Sequence, residues 1–282
     1  MKKLSIYSIA LIVAGLGLSS CVKTFDAKSY APPLNINGFI SANQVAPTNL
    51  VAHWTFNNTL ADSISGTKGV ATGTTFSGGI KNYGLALQGA NNAYVVSNVP
   101  PAVQNLHSFT ISTWYNMPLN VGATGLIGIA NPQGFWGNFD IFFDNGGTAT
   151  TGVLKVHVFN NGASSTGVDA WEGGYTVNNP WNSWNNIAVT YNDTTSTVIV
   201  YYNGSKIGTN TAAGFAPLNW TGAKQMVFGA LQFQTDPSLT AATGSQGWAG
   251  YVAGSMDEVR VYNRVLSGIE VSSLVALQGK GK

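Results

Sequence analysis

The sequence predicts an all-β fold, an antiparallel β-sandwich that ends in one short α-helix. Short runs rich in Val, Ile, Thr and aromatic residues recur along the chain, and Gly, Asn and Pro separate them. The 282 residues include 34 Gly and only 9% charged residues, and a helical period is almost absent. These features are typical of antiparallel sheets that pack face to face.

The first 20 residues are predicted to be a lipoprotein signal peptide. Lys2 and Lys3 precede an apolar run, residues 6–18, that is too short for a membrane-spanning helix. The run ends in Leu-Ser-Ser-Cys, which resembles the lipobox of bacterial lipoproteins. That resemblance implies cleavage before Cys21 and a lipid on this cysteine. The alternative is an ordinary secretory peptide that happens to contain a Cys.

The expected mature chain has no net charge. Removal of residues 1–20 takes away two of the 13 Lys and Arg residues and no acid, which leaves 11 basic against 11 acidic residues. No basic run remains, which argues against nucleic acid as a partner and against electrostatic membrane binding. Membrane attachment is therefore expected through the lipid on Cys21 only. Because Cys21 is the single cysteine, no intramolecular disulfide can form.

The rest of the chain is predicted to be a tether and one domain. Residues 21–47 contain prolines and polar residues without a sustained period, which indicates a lipid-anchored tether. Residues 48–282 have the length of one large sandwich, since all-β domains often reach about 200 to 250 residues.

Six runs predict the main strands. In the first, Val51 and His53 alternate with Ala52 and Trp54, as expected for a strand with two different faces. Asn203-Gly204, inside the run STVIVYYNGSKIG, is a strong signal for a tight hairpin turn. In chain order the runs read LVAHWTF, SFTISTWYNM, NNIAVTYN, STVIVYYNGSKIG, QMVFGAL and GSMDEVRVY.

One helix is predicted near the C-terminus. Ser267 and Glu270 have the spacing of a capping box, in which the Ser hydroxyl accepts from the amide of the Glu and the Glu reaches back. Val271, Leu274 and Val275 then form a short apolar stripe that would pack on the sandwich.

The strand of residues 254–262 places an acid in an unusual position. Strict alternation puts Asp257 on the same face as the valines of the strand, where an ionised carboxylate needs strong partners. The same alternation puts Glu258 and Arg260 on the opposite face, as an exposed pair that contributes little. From the residues alone, a metal ion, Arg264 or nearby amides are alternative partners for Asp257.

Motifs along the chain resemble the laminin G-like, concanavalin A-like jelly rolls of bacterial secreted proteins. The resemblance covers nearly all of residues 49–277 and is most specific in its last motif. It implies two packed, curved sheets, frequently a calcium ion, and often a role in carbohydrate binding, although a fold does not fix a function. The motifs are HWTFNNTLADSISG, GLALQG, FTISTWYNMP, WNNIAVTYND, VYYNGSKIG and MDEVRVYNRVLSGIE.

The resemblance implies a structural calcium site. It brings Asp62, in the turn-rich stretch ADSISGTKG, close to Asp257, and the Gly66 carbonyl is a weaker third ligand. Calcium binds carboxylate and carbonyl oxygens in a flexible geometry, so these groups suit it. The alternative is that Asp62 only stabilises its own turn through an Asx bond.

Tryptophans in loops are the candidate ligand-binding residues. The resemblance gives Trp54, Trp114 and Trp184 to the core, whereas five others lie in Gly- and Asn-rich stretches. Among these we expect Trp136, Trp171 and Trp181 to bind carbohydrate, because the span 131–180 has the most additional aromatic loop. Flat apolar rings with nearby polar groups are suited to sugars. The alternative is that each ring covers the rim of the sandwich. The five are Trp136, Trp171, Trp181, Trp220 and Trp248.

No catalytic residues are predicted. Glycosidases need two carboxyl groups that flank one bond, and the Glu-x-Asp-x-x-Glu run of laminarinase-like enzymes on this sandwich is absent from the sequence. Asp140 and Asp144 would stand roughly 13 Å apart along a strand. Asp169 and Glu172 would point to opposite faces of an extended strand. The three histidines, isolated in the sequence, are His53, His107 and His157.

The sequence therefore predicts a non-catalytic carbohydrate-binding lipoprotein of the bacterial envelope, placed at the outer membrane on its periplasmic or surface face. Its expected ligand is a polysaccharide or oligosaccharide, and its expected cofactor is structural calcium. A protein-interaction or adhesion module that binds envelope proteins is the main alternative. A polysaccharide-degrading enzyme is a further alternative.

Overall fold

A computed structural model describes residues 34–87, 92–161, 167–211, 215, 217–220 and 222–282. The predicted signal peptide, Cys21 and the first part of the predicted tether lie outside the described residues. Asn35–Lys282 form one compact unit. No helix in the described part of the chain is both long enough and apolar enough to cross a bilayer.

Sixteen strands and two helices are assigned in the described residues, and short 3-10 turns occupy Ala42–Gln44, Pro47–Asn49 and Gln232–Gln234. The strands are β1 (Leu50–Trp54), β2 (Gly69–Thr72), β3 (Thr74–Gly78), β4 (Tyr83–Leu87), β5 (Tyr94–Asn98), β6 (Phe109–Asn116), β7 (Ala123–Ile129), β8 (Phe139–Asp144), β9 (Thr151–Asn160), β10 (Val168–Asn178), β11 (Asn185–Asn192), β12 (Thr197–Tyr202), β13 (Ser205–Thr211), β14 (Gln225–Phe228), β15 (Ala249–Gly250) and β16 (Gly254–Tyr262). The helices are α1 (Pro101–Gln104) and α2 (Gly268–Gln278).

The strands form two sheets. The first has the order β13-β12-β11-β6-β16-β4-β3, and β1 also pairs with β16. The second has the order β10-β9-β8-β7-β14-β5-β2, with the short β15 beside β7. The strand pairs are antiparallel except for β15 with β7. The predicted antiparallel sandwich is therefore confirmed.

One hydrophobic cluster lies between the sheets. Alternate residues of each strand enter it: Phe139, Ile141 and Phe143 of β8 are buried in the cluster, together with Leu154 and Val156 of β9. The residues between them point to the outer face of the second sheet, as the period of a strand requires. This alternation decides which side chains of β8 to β10 are available to a ligand.

The predicted hairpin turn and the predicted capping box are both present. Asn203 and Gly204 connect β12 to β13 with φ angles of 49° and 78°, the left-handed conformation that this dipeptide favours. Ser267 caps α2 in a capping box with Glu270. The helix packs on the outer face of the first sheet, where the indole N–H of Trp114 donates to Gln278 Oε1 at 2.8 Å.

The face predicted for Asp257 is wrong because β16 contains a bulge. The register shifts between Asp257 and Arg260, and Glu258 has a positive φ of 49°. The extra residue reverses the alternation. Met256 therefore joins Val259 in the core, and Asp257 pairs with Trp114 on the outer face of the sheet.

Glu258 and Arg260 are buried, not exposed as predicted. Glu258 Oε2 accepts from Arg260 Nη2 at 2.8 Å and from Gln278 Nε2 at 2.9 Å, and it lies 3.1 Å from His53 Nε2. Burial makes an unpaired charge costly, so these partners are required. Burial alone would raise the pKa of Glu258, but His53 and Arg260 lower it to about 2.

The compact unit begins earlier than the predicted boundary at residue 48. Ala42 and Val45, assigned to the tether, are buried. Arg260 Nη2 donates to Asn43 Oδ1 at 2.9 Å, and its Nη1 donates to the carbonyl of Ala42 at 3.4 Å. The segment from Asn35 is therefore part of the folded unit, because it covers the buried ion pair of β16.

Candidate functional site

Aromatic side chains gather on the outer face of the second sheet. Trp136 lies at their centre: its ring centroid is 5.0 Å from that of Trp171, 5.1 Å from Phe142 and 6.0 Å from Trp248. We call the group the aromatic patch. Its members are Phe135, Trp136, Phe142, Trp171, Phe233 and Trp248.

Two rings of the aromatic patch face solvent. Trp171 is 43% exposed and Trp248 is 40% exposed, with the half-buried Trp136 between them. Exposed indoles supply a broad apolar surface together with an N–H group, which suits a ligand that has both apolar faces and hydroxyl groups. The structure thus brings together two of the predicted binding residues, Trp136 and Trp171, and adds Trp248.

Strand register and one buried amide explain how the aromatic patch forms. Trp171 of β10 is paired with His157 of β9, so both side chains lie on the outer face. Gln232 holds the loop that carries Trp136. Its Nε2 donates to the carbonyls of Gly134 and Phe135 at 2.8 and 3.0 Å, and its Oε1 accepts from the amide of Asn131 at 2.8 Å.

A buried histidine supports Trp171 from below. The ring of His157 lies 4.4 Å from that of Trp171. Its Nδ1 is 3.2 Å from Asp140 Oδ2, and its Nε2 is 2.6 Å from Asp169 Oδ1. Burial by itself would lower the pKa of His157, but the hydrogen bonds to the two carboxylates outweigh it and raise the pKa. The same contact with His157 lowers the pKa of Asp169.

Two clefts border the aromatic patch. One, of about 360 Å³, lies beside Trp136 and is lined by polar side chains that include Asn131, Gln133 and Asp169. The side chain of Asp169 is 56% exposed, so its carboxylate remains accessible while it holds His157. The other cleft, of about 570 Å³, begins at Trp248. The patch therefore connects two concave surfaces.

Trp181, the third predicted binding residue, does not join the aromatic patch. It is only 6% exposed and packs in the main core, where its ring lies 4.9 Å from that of Phe143. Its N–H donates to the carbonyl of Thr148 at 2.7 Å. No face of this ring is free for a sugar, so we exclude Trp181 from the candidate site.

Asp62 and Gly66, two of the predicted calcium ligands, form a tight turn. Asp62 Oδ1 accepts from the amides of His53 and Ile64 at 2.6 and 3.1 Å. Its Oδ2 accepts from the amide and the hydroxyl of Ser65 at 2.9 and 2.5 Å. Gly66 has a φ of 74° and donates its amide to the carbonyl of Asp62. Four donors occupy the lone pairs of the Asp62 carboxylate, so a calcium ion could bind this carboxylate only by displacing some of them.

Asp257 has different partners. Its Oδ2 accepts from the amide of Lys81 at 3.1 Å, and its Oδ1 accepts from the amide of Glu258 at 2.7 Å. Burial raises the pKa of Asp257 to about 7. Within the described ranges, no three His, Cys, Asp or Glu side chains are grouped so as to hold a metal ion. The calcium site of Asp62, Gly66 and Asp257 stays a prediction.

The acids considered for catalysis do not share an accessible site. Asp140 is fully buried, and Asp144 is paired with Lys155 at 2.5 Å. Glu172 points inward, where Asn210 Nδ2 donates to its Oε1 at 2.9 Å, and burial raises its pKa to about 7. Of the clustered acids, Asp169 is the one that lines a cleft.

A family model described as the concanavalin A-like lectin/glucanases superfamily matches residues 88–272. The chain belongs to this superfamily. The match covers more than half of the sequence and includes Trp136, Trp171 and Trp248. A search of curated proteins gave no match.

Several solved structures are similar in fold to this superfamily member. Domain 4 of AbnA, a GH43 extracellular arabinanase from Geobacillus stearothermophilus in complex with arabinotriose, has a TM-score of 0.54 and 21% identity, over 80% of this chain and 98% of that domain. The binding domain of Paraclostridial Mosquitocidal Protein 1 has a TM-score of 0.61 and 18% identity, over 82% of this chain and 52% of that one. Identities this low establish the fold alone.

A botulinum neurotoxin domain is a third similar structure. The binding domain of Botulinum Neurotoxin DC in complex with SialylT has a TM-score of 0.55 and 16% identity, over 84% of this chain and 52% of that one. The superfamily member thus spans about half the length of the toxin domains that it matches.

Two features of the site have no short-range signal in the sequence. Trp248 reaches the aromatic patch because its loop folds back over the second sheet, more than 100 residues after Trp136. The contacts of His157 with Asp140 and Asp169 depend on the register of three strands. Alternation within β9 and within β10 could have predicted that His157 and Trp171 each point away from the core. Only the pairing of the two strands brings the two side chains together.

Proposed function

We propose that this protein is a non-catalytic carbohydrate-binding lipoprotein of the bacterial envelope, and that the aromatic patch is its binding site. The observation that carries the proposal is the pair of exposed indoles, Trp171 and Trp248, joined through Trp136 above a cleft with an accessible carboxylate. A sugar ring stacks its apolar face on an indole and donates hydroxyl groups to polar side chains beside it.

The comparisons support a binding role. The arabinanase domain that aligns over nearly its whole length was solved with arabinotriose, and one similar toxin domain was solved with SialylT. The burial of Asp140 and Glu172 supports a non-catalytic role, because neither carboxyl group can reach a glycosidic bond in this arrangement.

Glycan-affinity electrophoresis tests the proposal. The protein should be retarded by at least one member of a broad panel of soluble polysaccharides, and Trp171→Ala should weaken that retardation by about tenfold or more, as expected for a central aromatic contact. Ile269→Ala is a matched control, since it removes an exposed apolar side chain from α2 on the other sheet. Failure of the wild-type protein to bind any member of the panel would reject the proposal.

The lipid anchor is a separate part of the proposal and rests on the sequence. Cys21 follows the lipobox-like Leu-Ser-Ser and would be the modified residue. Metabolic labelling with a radioactive fatty acid should label the wild-type protein in the outer-membrane fraction, and Cys21→Ser should abolish the label. Labelling that persists in Cys21→Ser would reject this part alone.

A structural calcium ion is the third part of the proposal, and it is supported by the resemblance of the sequence motifs to laminin G-like jelly rolls. An ion between Asp62 and Asp257 would have to displace donors that now occupy both carboxylates. Thermal unfolding with calcium and with a chelator tests it. A calcium-dependent rise in Tm that disappears in Asp257→Ala would establish the site, and equal Tm values in both buffers would remove calcium from the proposal.

A protein ligand is the second candidate. It is favoured by one similar toxin binding domain, which was solved in complex with rat synaptotagmin II. A pull-down from envelope extracts distinguishes the two functions. A stoichiometric protein partner that polysaccharide does not displace, and that survives Trp171→Ala, would favour the protein ligand.

A further inference from the structure

We infer that the aromatic patch selects neutral over acidic glycans, and that Asp169 is the residue responsible. This inference rests on the proposed function and names the class of glycan that the site takes. It is carried by the charges on the ligand-facing side of β8, β9 and β10.

Three carboxylates, one lysine and one histidine share this face. Asp144 is neutralised by Lys155 at 2.5 Å. Asp140 contacts one ring nitrogen of His157, and Asp169 contacts the other. One histidine cannot neutralise two carboxylates, so the group has a net negative charge. Asp169 is the accessible acid of the histidine-bound pair, because Asp140 is fully buried.

No cation compensates this charge at the walls of the clefts. Among the described residues that line the two clefts, none is Lys or Arg. Lys155 is held by Asp144, and breaking that pair would leave Asp144 exposed as a further negative charge on the same face. A glycan carboxylate that enters the cleft beside Trp136 therefore approaches the carboxylate of Asp169 and finds no Lys or Arg in the described part of the cleft wall to pair with. The two like charges repel.

A neutral sugar is attracted to Asp169 and not repelled by it. Hydroxyl groups donate to a carboxylate in short, charge-assisted hydrogen bonds, which are stronger than bonds between neutral groups. Only Oδ1 of Asp169 contacts His157 Nε2, and the side chain is 56% exposed and lines the cleft, so the carboxylate can still accept from a ligand. The lowered pKa of Asp169 keeps it ionised, as a hydroxyl acceptor requires. Asp169 therefore both binds hydroxyl groups and repels acidic sugars.

Asp169→Asn tests the inference, because it removes the charge and retains an oxygen that can accept from His157. Affinity electrophoresis would compare neutral polysaccharides (arabinan, xylan, galactomannan) with acidic ones (polygalacturonate, alginate, hyaluronan), in low and high salt. The wild-type protein should prefer a neutral member. Asp169→Asn should reduce that preference by about fivefold, the scale of one exposed charge interaction. Salt should reduce the wild-type preference and leave that of the variant unchanged, since salt screens exposed charges.

Two further variants separate the local charge from other effects. Asp144→Asn releases Lys155 on the same face and should increase binding to the acidic polysaccharides. Asp193→Asn makes the same change of charge on a turn of the first sheet and should leave the preference unaltered. Equal binding of both glycan classes, or a preference that Asp169→Asn does not change, would overturn the inference alone. Absence of binding to any glycan would overturn the proposed function together with it.

Discussion

His157 supports Trp171 and is itself held at both ring nitrogens. Carboxylates hold both ring nitrogens, and the indole of Trp171 lies over the imidazole at a centroid distance of 4.4 Å. A protonated imidazole is attracted to the face of an indole, so the positive charge supports the tryptophan as well as the two acids. The binding ring is therefore fixed before a ligand arrives, which reduces the entropy lost on binding.

The first prediction concerns the pH dependence of this contact. The folded-state pKa of His157 is raised above 6.5, so its stabilising contribution is complete below about pH 6.5 and is lost as the pH rises through the raised value. The difference in unfolding free energy between wild type and His157→Gln should therefore be largest in acid and should shrink in base. Denaturant unfolding at several pH values measures it. His107→Gln, at an exposed position, is the control. A difference that grows with pH would contradict the assignment.

Glu172 gives a second prediction at this scale, with the opposite effect on stability. Burial raises its pKa from 4.5 to about 7, so ionising it at pH 8 costs folding free energy, on the order of 3 kcal/mol at most. Glu172→Gln keeps an acceptor for Asn210 and cannot ionise. The variant should be more stable than wild type at pH 8 and of similar stability at pH 4. Thermal unfolding at the two pH values checks this, and an equal change in Tm at both would exclude ionisation as the cause.

Among the elements, β16 separates what the sequence could predict from what it could not. The turn at Asn203-Gly204 and the capping box at Ser267 were predictable, because their signals lie within a few residues. The bulge at Glu258 was not, because strict alternation assumes a regular strand. One inserted residue moved Asp257 to the outer face. The buried partners of Glu258 and Arg260 come from α2 and from the segment at Ala42, both distant in sequence.

The third prediction tests the buried pair of β16. Glu258→Gln leaves Arg260 buried without a counter-ion and should lower the unfolding free energy by about 3 kcal/mol at pH 7. The pKa of Glu258 is about 2 when folded and 4.5 otherwise, so its contribution is complete above about pH 4.5 and is lost as the pH falls through about 2. The difference from wild type should shrink accordingly in acid.

A matched variant controls for the loss of a charge. Glu270 also has a pKa lowered to about 2, chiefly by its hydrogen bond to Arg264, but this pair is partly exposed. Glu270→Gln should cost only about 1 kcal/mol, since exposed pairs and capping contacts contribute on that scale. Equal losses from both variants would show that burial of the pair has no special role.

At the scale of the whole molecule, the two sheets have different outer faces. Helix α2 covers part of the first sheet and ties Trp114 into a buried hydrogen bond. The second sheet instead carries the aromatic patch, which the loops around Trp136 and Trp248 extend toward a cleft on each side. The fold class was predictable from strand patterns spread over the chain. The location of the aromatic patch on the second sheet was not predictable, because it depends on where the helix and the long loops pack.

The arrangement of the aromatic patch predicts that affinity depends on the length of the ligand. Trp171 and Trp248 are both exposed and lie on either side of Trp136, so one sugar unit cannot stack on both. A series from a monosaccharide to a hexasaccharide, prepared from a polysaccharide that binds, should therefore show affinity that increases with chain length. Trp248→Ala should remove the gain in affinity for the longer oligosaccharides and leave the affinity for the monosaccharide almost unchanged. Trp171→Ala should lower the affinity for every member of the series. Isothermal titration calorimetry measures the series. Affinity independent of chain length would restrict the binding site to the surroundings of Trp171.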